Sequence, residues 1–199
     1  MIKYIGSKRA LIPWILDVFE VIRRLTKANS VVDLFSGSAR VSHALKSKGF
    51  EVTANDINMY AFVLAQGLVE ADAREYKREK IAELLEDLNQ TTPIEGWFTR
   101  TYAQEARFFH PKNAAKIEAI RIRIEEEFSE DPLLKSILLT SLLIAADKVD
   151  STTGVQMAYL KEWAPRALND IKLEPPPLLP GRGKALLGDA LEVVDFLDA

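Results

Sequence analysis

The segment from residue 31 to residue 56 most constrains the fold, because strand, turn, helix and strand patterns follow one another within about 25 residues. Its pieces are a short apolar run, a turn of small residues, a stretch with helical periodicity and a second apolar, β-branched run: Val31–Phe35, Ser36-Gly37-Ser38, Ala39–Lys48 and Phe50–Ala54. Gly49 is placed to end the helix in the left-handed conformation that glycine favours. This succession is typical of a βαβ unit, so we predict an α/β protein with a parallel sheet.

The turn after the first strand has the features of a ligand site. A turn at the carboxyl end of a strand, followed by a helix, leaves backbone N–H groups unpaired, and small residues let a ligand approach them. Asp56 follows about 20 residues later, where βαβ units bind ribose hydroxyls. The G-x-G-x-x-G pattern of dinucleotide sites is absent, and position 39 is Ala, which favours a cofactor without phosphates. An α/β core that binds no ligand is the alternative.

The first eight residues are unusual for an exposed chain terminus. They include Ile-Lys-Tyr-Ile-Gly-Ser-Lys, directly before a predicted helix over residues 8–26. Tyr4 offers a flat surface beside a ligand, and Lys8 offers a cation for a carboxylate. The structural alternative is the start of a strand, with Ser7 capping the helix.

Helical periodicity recurs along the rest of the chain. We predict helices over residues 57–88, 113–128, 132–149 and 190–197. Residues 92–111 are irregular and rich in aromatic side chains, which we interpret mainly as the core of a small subdomain.

A third strand is predicted at residues 184–187, after a segment rich in proline and glycine. Roughly 110 residues separate it from the second strand, which is too long for a crossover connection. We therefore predict a sheet domain from residues 1–70 and 172–199, with an inserted, mainly helical subdomain at 71–171.

Composition excludes several kinds of site. The chain has no cysteine and only two histidines, His43 and His110, which excludes disulfides, cysteine-ligated zinc and histidine-rich metal sites. No signal peptide and no run of about 18 apolar residues is present, so a cytoplasmic protein without membrane or metal is expected.

Charge is unevenly distributed although the net charge is only -3. Residues 1–48 carry nine Lys and Arg against three acids, and residues 97–125 carry six against three. Such basic segments permit a local phosphate-binding face, and an ordinary solvated helix surface is the alternative.

These motifs together resemble the Dam-type adenine-N6 DNA methyltransferases. That family has, in order, a K-Y/W-x-G-x-K block, an F-x-G-x-G turn, a DNA-recognition insertion and a catalytic D-P-P-Y motif. The first two correspond here to residues 3–8 and 35–39. Further similar blocks lie along nearly the whole chain: 107–109, 113–117, 147–152 and 154–161.

The resemblance implies a Rossmann-like methyltransferase sheet that binds S-adenosylmethionine and acts on double-stranded DNA, as in restriction–modification systems. It implies that Tyr4, Gly6, Ser7 and Lys8 hold the methionine part of the cofactor. Residues at the ends of the strands would line the remainder of the cofactor: Asp33, Phe35, Ser36, Gly37, Ser38, Asp56, Ile57, Asp189 and Ala190. Among these, Asp56 would bind the ribose, and Ile57, Asp189 and Ala190 would border the adenine.

The catalytic D-P-P-Y motif is not found in the 199 residues, and the order of the family's motifs places it just after Ala199. Asp131-Pro132 precedes two leucines and is typical of a helix start, and Pro175–Pro177 is typical of a linker. We therefore assign no catalytic residue and expect an incomplete sheet, with an unpaired edge where a fourth strand belongs. We also expect that this polypeptide does not methylate DNA alone, being a gene fragment or one half of a split enzyme.

For the insertion, the resemblance favours DNA contact by its cations: Arg100, Arg107, Lys112, Lys116, Arg121 and Arg123. The first functional hypothesis is an adenine methyltransferase that lacks its catalytic segment. The second is a non-catalytic cofactor- or DNA-binding module completed by a partner chain. A small-molecule or RNA methyltransferase is a third, against which the N-terminal block argues.

Overall fold

A computed structural model describes residue 2, residues 8–152 and residues 160–196 of the chain. The chain divides into two compact units. One is Arg78–Pro176, with which Ile2 is grouped, and the other comprises residues 8–77 and 177–196. No helix in these ranges is long and apolar enough to cross a membrane.

Within the described residues, the second unit is built on a parallel sheet of three strands in the order β1-β2-β3: β1 (Ser30–Asp33), β2 (Glu51–Asp56) and β3 (Gly183–Leu187). The register places Val31 beside Val52 and Ala54 beside Ala185. Val52 and Ala54 are fully buried, because the middle strand has a neighbour on each side. The predicted α/β class and parallel sheet are thus confirmed.

Four helices accompany the sheet: α1 (Ile12–Thr26), α2 (Arg40–Ser47), α3 (Met59–Ala65) and, after β3, α8 (Ala190–Val193). Pro13 lies in the first turn of α1, where its missing N–H leaves no hydrogen bond unmade. After α2 the chain reverses at Gly49, whose φ of 80° is in the left-handed region, as predicted. Helix α8 is shorter than expected and continues as a 3-10 turn, Val194–Phe196.

The prediction of one helix over residues 57–88 is wrong. Helix α3 passes into a π-helical segment, Gln66–Glu70, and the chain is non-helical from Ala71 until the next helix begins at Arg78. Lys46 explains the break, because its buried Nζ donates to the carbonyl oxygens of Val69 at 2.6 Å and Ala71 at 2.8 Å. Those carbonyls are therefore satisfied without the next helical turn. Burial lowers the pKa of this lysine.

The other unit is mainly helical. Its helices are α4 (Arg78–Asn89), α5 (Trp97–Thr99), α6 (Pro111–Glu127) and α7 (Pro132–Lys148). Apolar side chains spaced along α4, α6 and α7 form the core: Ile81, Leu85, Leu88, Ile120, Ile124, Ile137 and Leu138. As predicted, Asp131 caps α7, accepting a hydrogen bond from the backbone N–H of Leu134 at 2.9 Å.

Residues 92–111 are more regular than predicted, since α5 leads into a second π-helical segment, Arg100–Glu105. The start of α5 is held by Glu118, which is 8% exposed and accepts hydrogen bonds from the backbone N–H groups of Gly96, Phe98 and Thr99 and from the Thr99 hydroxyl. Burial alone raises the pKa of this carboxyl, but the hydrogen bonds outweigh burial and lower the pKa to about 2. The acid thus compensates the unpaired N–H groups of this helical turn.

The aromatic side chains of this segment contact one another, but none of them is fully buried, so the prediction that they form the core of the subdomain is wrong. Phe98 lies 4.9 Å from Tyr102 and 5.8 Å from Phe109, measured between ring centroids. Trp97 contacts Tyr102 edge-on but remains largely exposed. His110 has the structural role indicated by the sequence, because it caps α6 and contacts the ring of Trp163.

Candidate cofactor site and DNA-contacting residues

Two predicted site residues are joined at the carboxyl edge of the sheet. The backbone N–H of Gly37, in the turn after β1, donates to Asp56 Oδ2 at 2.9 Å, and Ser36 N donates to the backbone oxygen of Asn55 at 2.9 Å. The turn is therefore held against the end of β2. Asp56, which the sequence predicts as a site residue from its spacing alone, thus accepts a hydrogen bond from the predicted ligand turn.

The Asp56 carboxylate keeps acceptor capacity. Its Oδ1 accepts from the backbone N–H of Asn58 at 3.0 Å, and Asn58 in turn caps helix α3. Each carboxylate oxygen has two lone pairs, so one hydrogen bond to each leaves room for a second donor. A pair of ribose hydroxyls requires acceptors of this kind.

Sequence reasoning missed Asn55 as a site residue. Its side chain is fully buried, and Nδ2 donates to the carbonyl oxygens of Leu34 and Gly188, both at 3.1 Å. One amide thus ties together the carboxyl ends of all three strands. The available signal was a side-chain amide directly before Asp56, at the end of the second strand.

Two buried polar atoms at this edge have no hydrogen-bond partner among the described residues, namely Ser36 Oγ and Asn55 Oδ1. Buried polar atoms in native proteins are nearly always hydrogen-bonded to protein, water or ligand. The two atoms therefore fit a site that receives polar groups from a bound molecule.

Two predicted apolar residues border the same strand ends and face solvent. Phe35 is 79% exposed, after β1, and Ile57 is 71% exposed, after β2. Large apolar side chains exposed beside unsatisfied polar atoms are suited to a flat ligand with polar edges, such as a nucleoside. The residues present thus fit the adenosine part of S-adenosylmethionine.

The remaining predicted residues in the turn have local roles. Asp33 Oδ2 accepts from the hydroxyl of Ser42 in α2 at 2.6 Å, and Ser38 is half-buried. Ala39, where the family pattern has glycine, adopts the left-handed φ of 55° and provides no side-chain cap for α2. Alanine tolerates this conformation at a cost of about 1 kcal/mol.

The third strand contributes its two predicted residues next to α8. Asp189 caps the helix by accepting from the backbone N–H of Leu191 at 2.9 Å, and Ala190 is buried. At the other end of the chain, Lys8 is exposed, and its carbonyl oxygen accepts from Leu11 N at 2.8 Å at the start of a 3-10 turn.

Several positions named in the sequence analysis lie outside the described residues: Tyr4, Gly6, Ser7, Ala199, residues 154–159 of the block at 154–161, and the last residue of the helix predicted over 190–197. The assignment of the first three to the methionine part of the cofactor therefore stays a prediction. The described chain reaches Phe196, so the expectation that the catalytic motif belongs after Ala199 also stays a prediction, and no catalytic residue is assigned.

Five of the six predicted DNA-contacting cations have partners within the protein. Lys112 pairs with Asp170 at 2.7 Å, Arg121 with Glu125 at 2.7 Å, and Arg123 with both Asp87 and Glu127 at 2.5 Å. Lys116 donates to the carbonyl oxygen of Thr91. Arg107 donates to that of Lys161, and its guanidinium lies 4.5 Å from the ring centroid of Trp163.

Arg100 differs from the other five. It is exposed, and its guanidinium makes no ion pair or side-chain hydrogen bond with the part of the chain that the structure describes. A cation without an internal carboxylate keeps its full charge for an external anion.

Of the nine Lys and Arg side chains in residues 1–48, two are not available to bind a phosphate group. Lys46 is buried, and Arg23 pairs with Glu20 at 2.5 Å. His43 is likewise buried, and its Nε2 donates to the carbonyl oxygen of Pro177 at 2.7 Å, while burial lowers the pKa of the ring. These three side chains therefore have structural roles.

Comparison with known proteins shows what the chain is similar to. A family model described as D12 class N6 adenine-specific DNA methyltransferase matches residues 4–181. Type II methyltransferase M.NlaIII of Neisseria lactamica is 34% identical over 182 residues, covering 86% of this chain and 53% of that protein. Type II methyltransferase M.CviAII of Paramecium bursaria Chlorella virus 1 is 36% identical over 181 residues, covering 87% and 54%.

A more distant relative is modification methylase StsI of Streptococcus sanguinis, which is 28% identical over 213 residues and covers 99% of this chain but 32% of that protein. The chain thus spans about half the length of the two type II methyltransferases and about a third of StsI. No solved structure matches the chain.

Proposed function

The chain belongs to the family of D12 class N6 adenine-specific DNA methyltransferases, and from this premise we propose that it provides the S-adenosylmethionine-binding part of such an enzyme. The observation that carries the proposal is the carboxyl edge of the sheet. There, the backbone N–H of Gly37 donates a hydrogen bond to the Asp56 carboxylate. Two buried polar atoms at the same edge, Ser36 Oγ and Asn55 Oδ1, have no hydrogen-bond partner among the described residues.

Each part of this edge has a role in the proposal. Asp56 accepts hydrogen bonds from the ribose hydroxyls with its remaining lone pairs. Phe35 and Ile57 pack on the flat faces of the ligand, Ser36 and Asn55 bond its polar edges, and Asp189 and Ala190 border the adenine. Lys8 neutralises the carboxylate of the methionine part, where Tyr4, Gly6 and Ser7 also contribute.

When bound, S-adenosylmethionine supplies a methyl group that is attached to a positively charged sulfur. The sulfur keeps the electron pair of the broken bond and becomes a neutral thioether. The acceptor is N6 of an adenine in duplex DNA, which gives up a proton as its new bond to carbon forms. That amine must be flipped out of the helix and held by hydrogen-bond acceptors and an aromatic face. The D-P-P-Y residues that supply these in the family are absent from the 199 residues, so we propose that this polypeptide alone transfers no methyl group.

For DNA, we propose that the helical unit, Arg78–Pro176, makes the contacts, with Arg100 as the leading phosphate ligand. Two observations support this choice: Arg100 is exposed, and it forms no ion pair with any residue in the described ranges. The other five cations contribute less, because internal partners already offset or engage their charge.

The alternative is a non-catalytic module that binds cofactor or DNA and is completed by a partner chain. The gene sequence downstream of codon 199 distinguishes the two: a D-P-P-Y codon run in frame supports the enzyme, and a stop codon supports the module.

The cofactor role is tested by calorimetric titration of the chain with S-adenosylmethionine. We expect Asp56→Ala to weaken binding by at least about tenfold, because hydrogen bonds to a charged group are worth about 1.5–3 kcal/mol. The matched control is Asp17→Ala, which removes an exposed acid of the same unit and leaves the affinity unchanged. Equal affinities of Asp56→Ala and the unmodified chain remove Asp56 from the ribose role.

A further inference from the structure

Two exposed side chains lie on one side of the short helix α5 and the π-helical segment that follows it. Trp97 is 62% exposed, and Arg100 is exposed as well. Residues three apart on a helical turn are neighbours, with about 5–6 Å between their Cβ atoms. Thr99 and Ala103 are buried on the opposite side of the same segment. The segment thus packs into the helical unit with one side and presents an indole beside a guanidinium on the other.

The indole is held in a fixed position by its own unit. The ring of Trp97 meets that of Tyr102 at an angle of 86°, with the two centroids 5.7 Å apart, and the Tyr102 centroid lies 4.9 Å from that of Phe98. Glu118 holds the backbone at the start of α5 by accepting hydrogen bonds from three N–H groups. A side chain that is ordered in advance loses less conformational entropy when it binds a ligand.

The backbone of this segment is also unusual. The π-helical turn Arg100–Glu105 follows directly on the α-helical turn that carries Trp97. Single π-helical turns are rare in proteins and are frequent at functional sites. A lone exposed aromatic side chain needs no function, but here the aromatic side chain, the cation and the π-helical turn coincide.

An indole beside a cation that has no internal carboxylate is suited to a nucleotide. Proteins that hold unpaired nucleotides stack an aromatic ring on the flat base and place a basic side chain on the phosphate. An apolar partner would instead bury the charge of Arg100 without a counter-ion, which is costly. The bases of a paired duplex are already stacked on their neighbours, so the ring requires a base that has left the stack.

We propose that Trp97 stacks on an unpaired base of the DNA while Arg100 binds a phosphate of the same strand. This inference rests on the proposed function, in which Arg100 contacts phosphate and an adenine leaves the helix. It adds a residue that recognises the opened state of the DNA rather than its charge. Trp97 therefore stabilises the opened duplex relative to the paired one.

The test is the binding of the full chain to two labelled duplexes, measured by fluorescence anisotropy. The duplexes have the same sequence, but in one of them an abasic site leaves a single adenine unpaired. No recognition sequence is required, because stacking and phosphate contact tolerate any base. We expect Trp97→Ala to weaken binding to the duplex with the unpaired adenine by at least about fivefold and to the paired duplex by less than about twofold.

Three further variants are the controls. Trp97→Phe keeps an aromatic ring and is expected to retain most of the preference for the unpaired adenine. Trp14→Ala removes an equally exposed tryptophan of the sheet unit, which is 67% exposed, and is expected to change neither affinity. Arg100→Ala is expected to weaken binding to both duplexes and to reduce the salt dependence of binding by about one phosphate contact, whereas Trp97→Ala leaves the salt dependence unchanged.

A measurement on the unmodified chain reports stacking directly. The fluorescent adenine analogue 2-aminopurine replaces the unpaired adenine, and its emission is quenched when it stacks on an indole. We expect quenching by the unmodified chain and by Trp14→Ala, and none by Trp97→Ala. Circular dichroism of each variant establishes that the helical unit has kept its fold.

Equal weakening of both duplexes by Trp97→Ala overturns the proposal, as does quenching that persists in this variant. If Arg100→Ala weakens binding and Trp97→Ala does not, the stacking role is contradicted and phosphate contact by the helical unit stands. If the chain binds neither duplex, the stacking role and the proposed DNA contact are both contradicted. Binding of labelled S-adenosylmethionine to the same preparation then decides the cofactor part of the proposed function separately.

Discussion

Asn55 is the residue on which the geometry of the candidate site depends most. Its amide joins the backbone of Leu34, after β1, to that of Gly188, after β3, from a fully buried position. Both carbonyl oxygens lose a donor if the side chain is removed. A ligand at this edge also loses the unsatisfied Oδ1.

We therefore expect Asn55→Ala to lower the free energy of unfolding by about 2–3 kcal/mol, since two buried acceptors are left unpaired. Asn58→Ala, which removes the cap of α3, is the matched control and costs about 1 kcal/mol. Urea denaturation measures both. A smaller loss for Asn55→Ala than for Asn58→Ala contradicts the role assigned to this amide.

At the residue scale, the sequence predicts those site residues whose positions follow from fixed spacing within one structural unit. Gly37 and Asp56 are recognisable because a βαβ unit places them at known offsets. Asn55 and Glu118 are not, because their roles depend on distant partners: Gly188 is 133 positions from Asn55, and Gly96 is 22 positions from Glu118. No local sequence pattern predicts which distant backbone group a buried polar side chain will hydrogen-bond.

At the scale of elements, the sequence pattern predicts most of the helices and the three strands that the structure describes. It fails where a side chain distant in sequence ends a helix or stabilises its start. The helix predicted over residues 57–88 breaks where Lys46 binds the carbonyl oxygens of Val69 and Ala71. Conversely, α5 forms in a segment without helical periodicity because Glu118 binds its first N–H groups. Tertiary contacts override local propensity at these two places.

Glu118 leads to a pH-dependent prediction for the helical unit. Its pKa is lowered to about 2 in the folded chain, so its ionised form stabilises the fold. That contribution is complete above the pKa of the unfolded chain, near 4.5, and is lost as the pH falls toward 2. We expect Glu118→Gln to cost about 2 kcal/mol at neutral pH and progressively less below pH 4.5, as measured by urea denaturation across this range.

The control for this prediction is Glu126→Gln, an exposed acid on the same helix α6. It removes the same charge without removing a hydrogen-bonded cap, so its stability is expected to follow that of the unmodified chain at each pH. If both variants lose stability equally, the general charge of α6 rather than the cap explains the effect.

At the scale of the whole molecule, the match to the family model confirms the predicted family, and the structure confirms the α/β class and the parallel sheet. The assignment of residues 71–171 to DNA recognition stays a prediction. The structure describes a compact helical unit at Arg78–Pro176, in which most of the basic side chains have internal partners. The sequence gives the number of basic side chains, but it does not show which of them form ion pairs with carboxylates within the protein.

The exposure of large apolar side chains on α1, such as Trp14 at 67% and Leu25 at 78%, is likewise visible only in the folded chain. The sequence places apolar residues such as Val18, Phe19 and Ile22 on one face of the predicted helix. In the structure Phe19 packs on Phe50, whereas Val18 and Ile22 are 37% and 42% exposed.

The central claim is that the carboxyl edge of this sheet binds S-adenosylmethionine, and equilibrium dialysis of the chain with the labelled cofactor tests it most directly. We expect saturation at one cofactor per chain, displacement by S-adenosylhomocysteine, which keeps the adenosine part and the amino-acid end of the cofactor, and no displacement by a dinucleotide. Failure to bind, or equal displacement by a dinucleotide, would contradict the account.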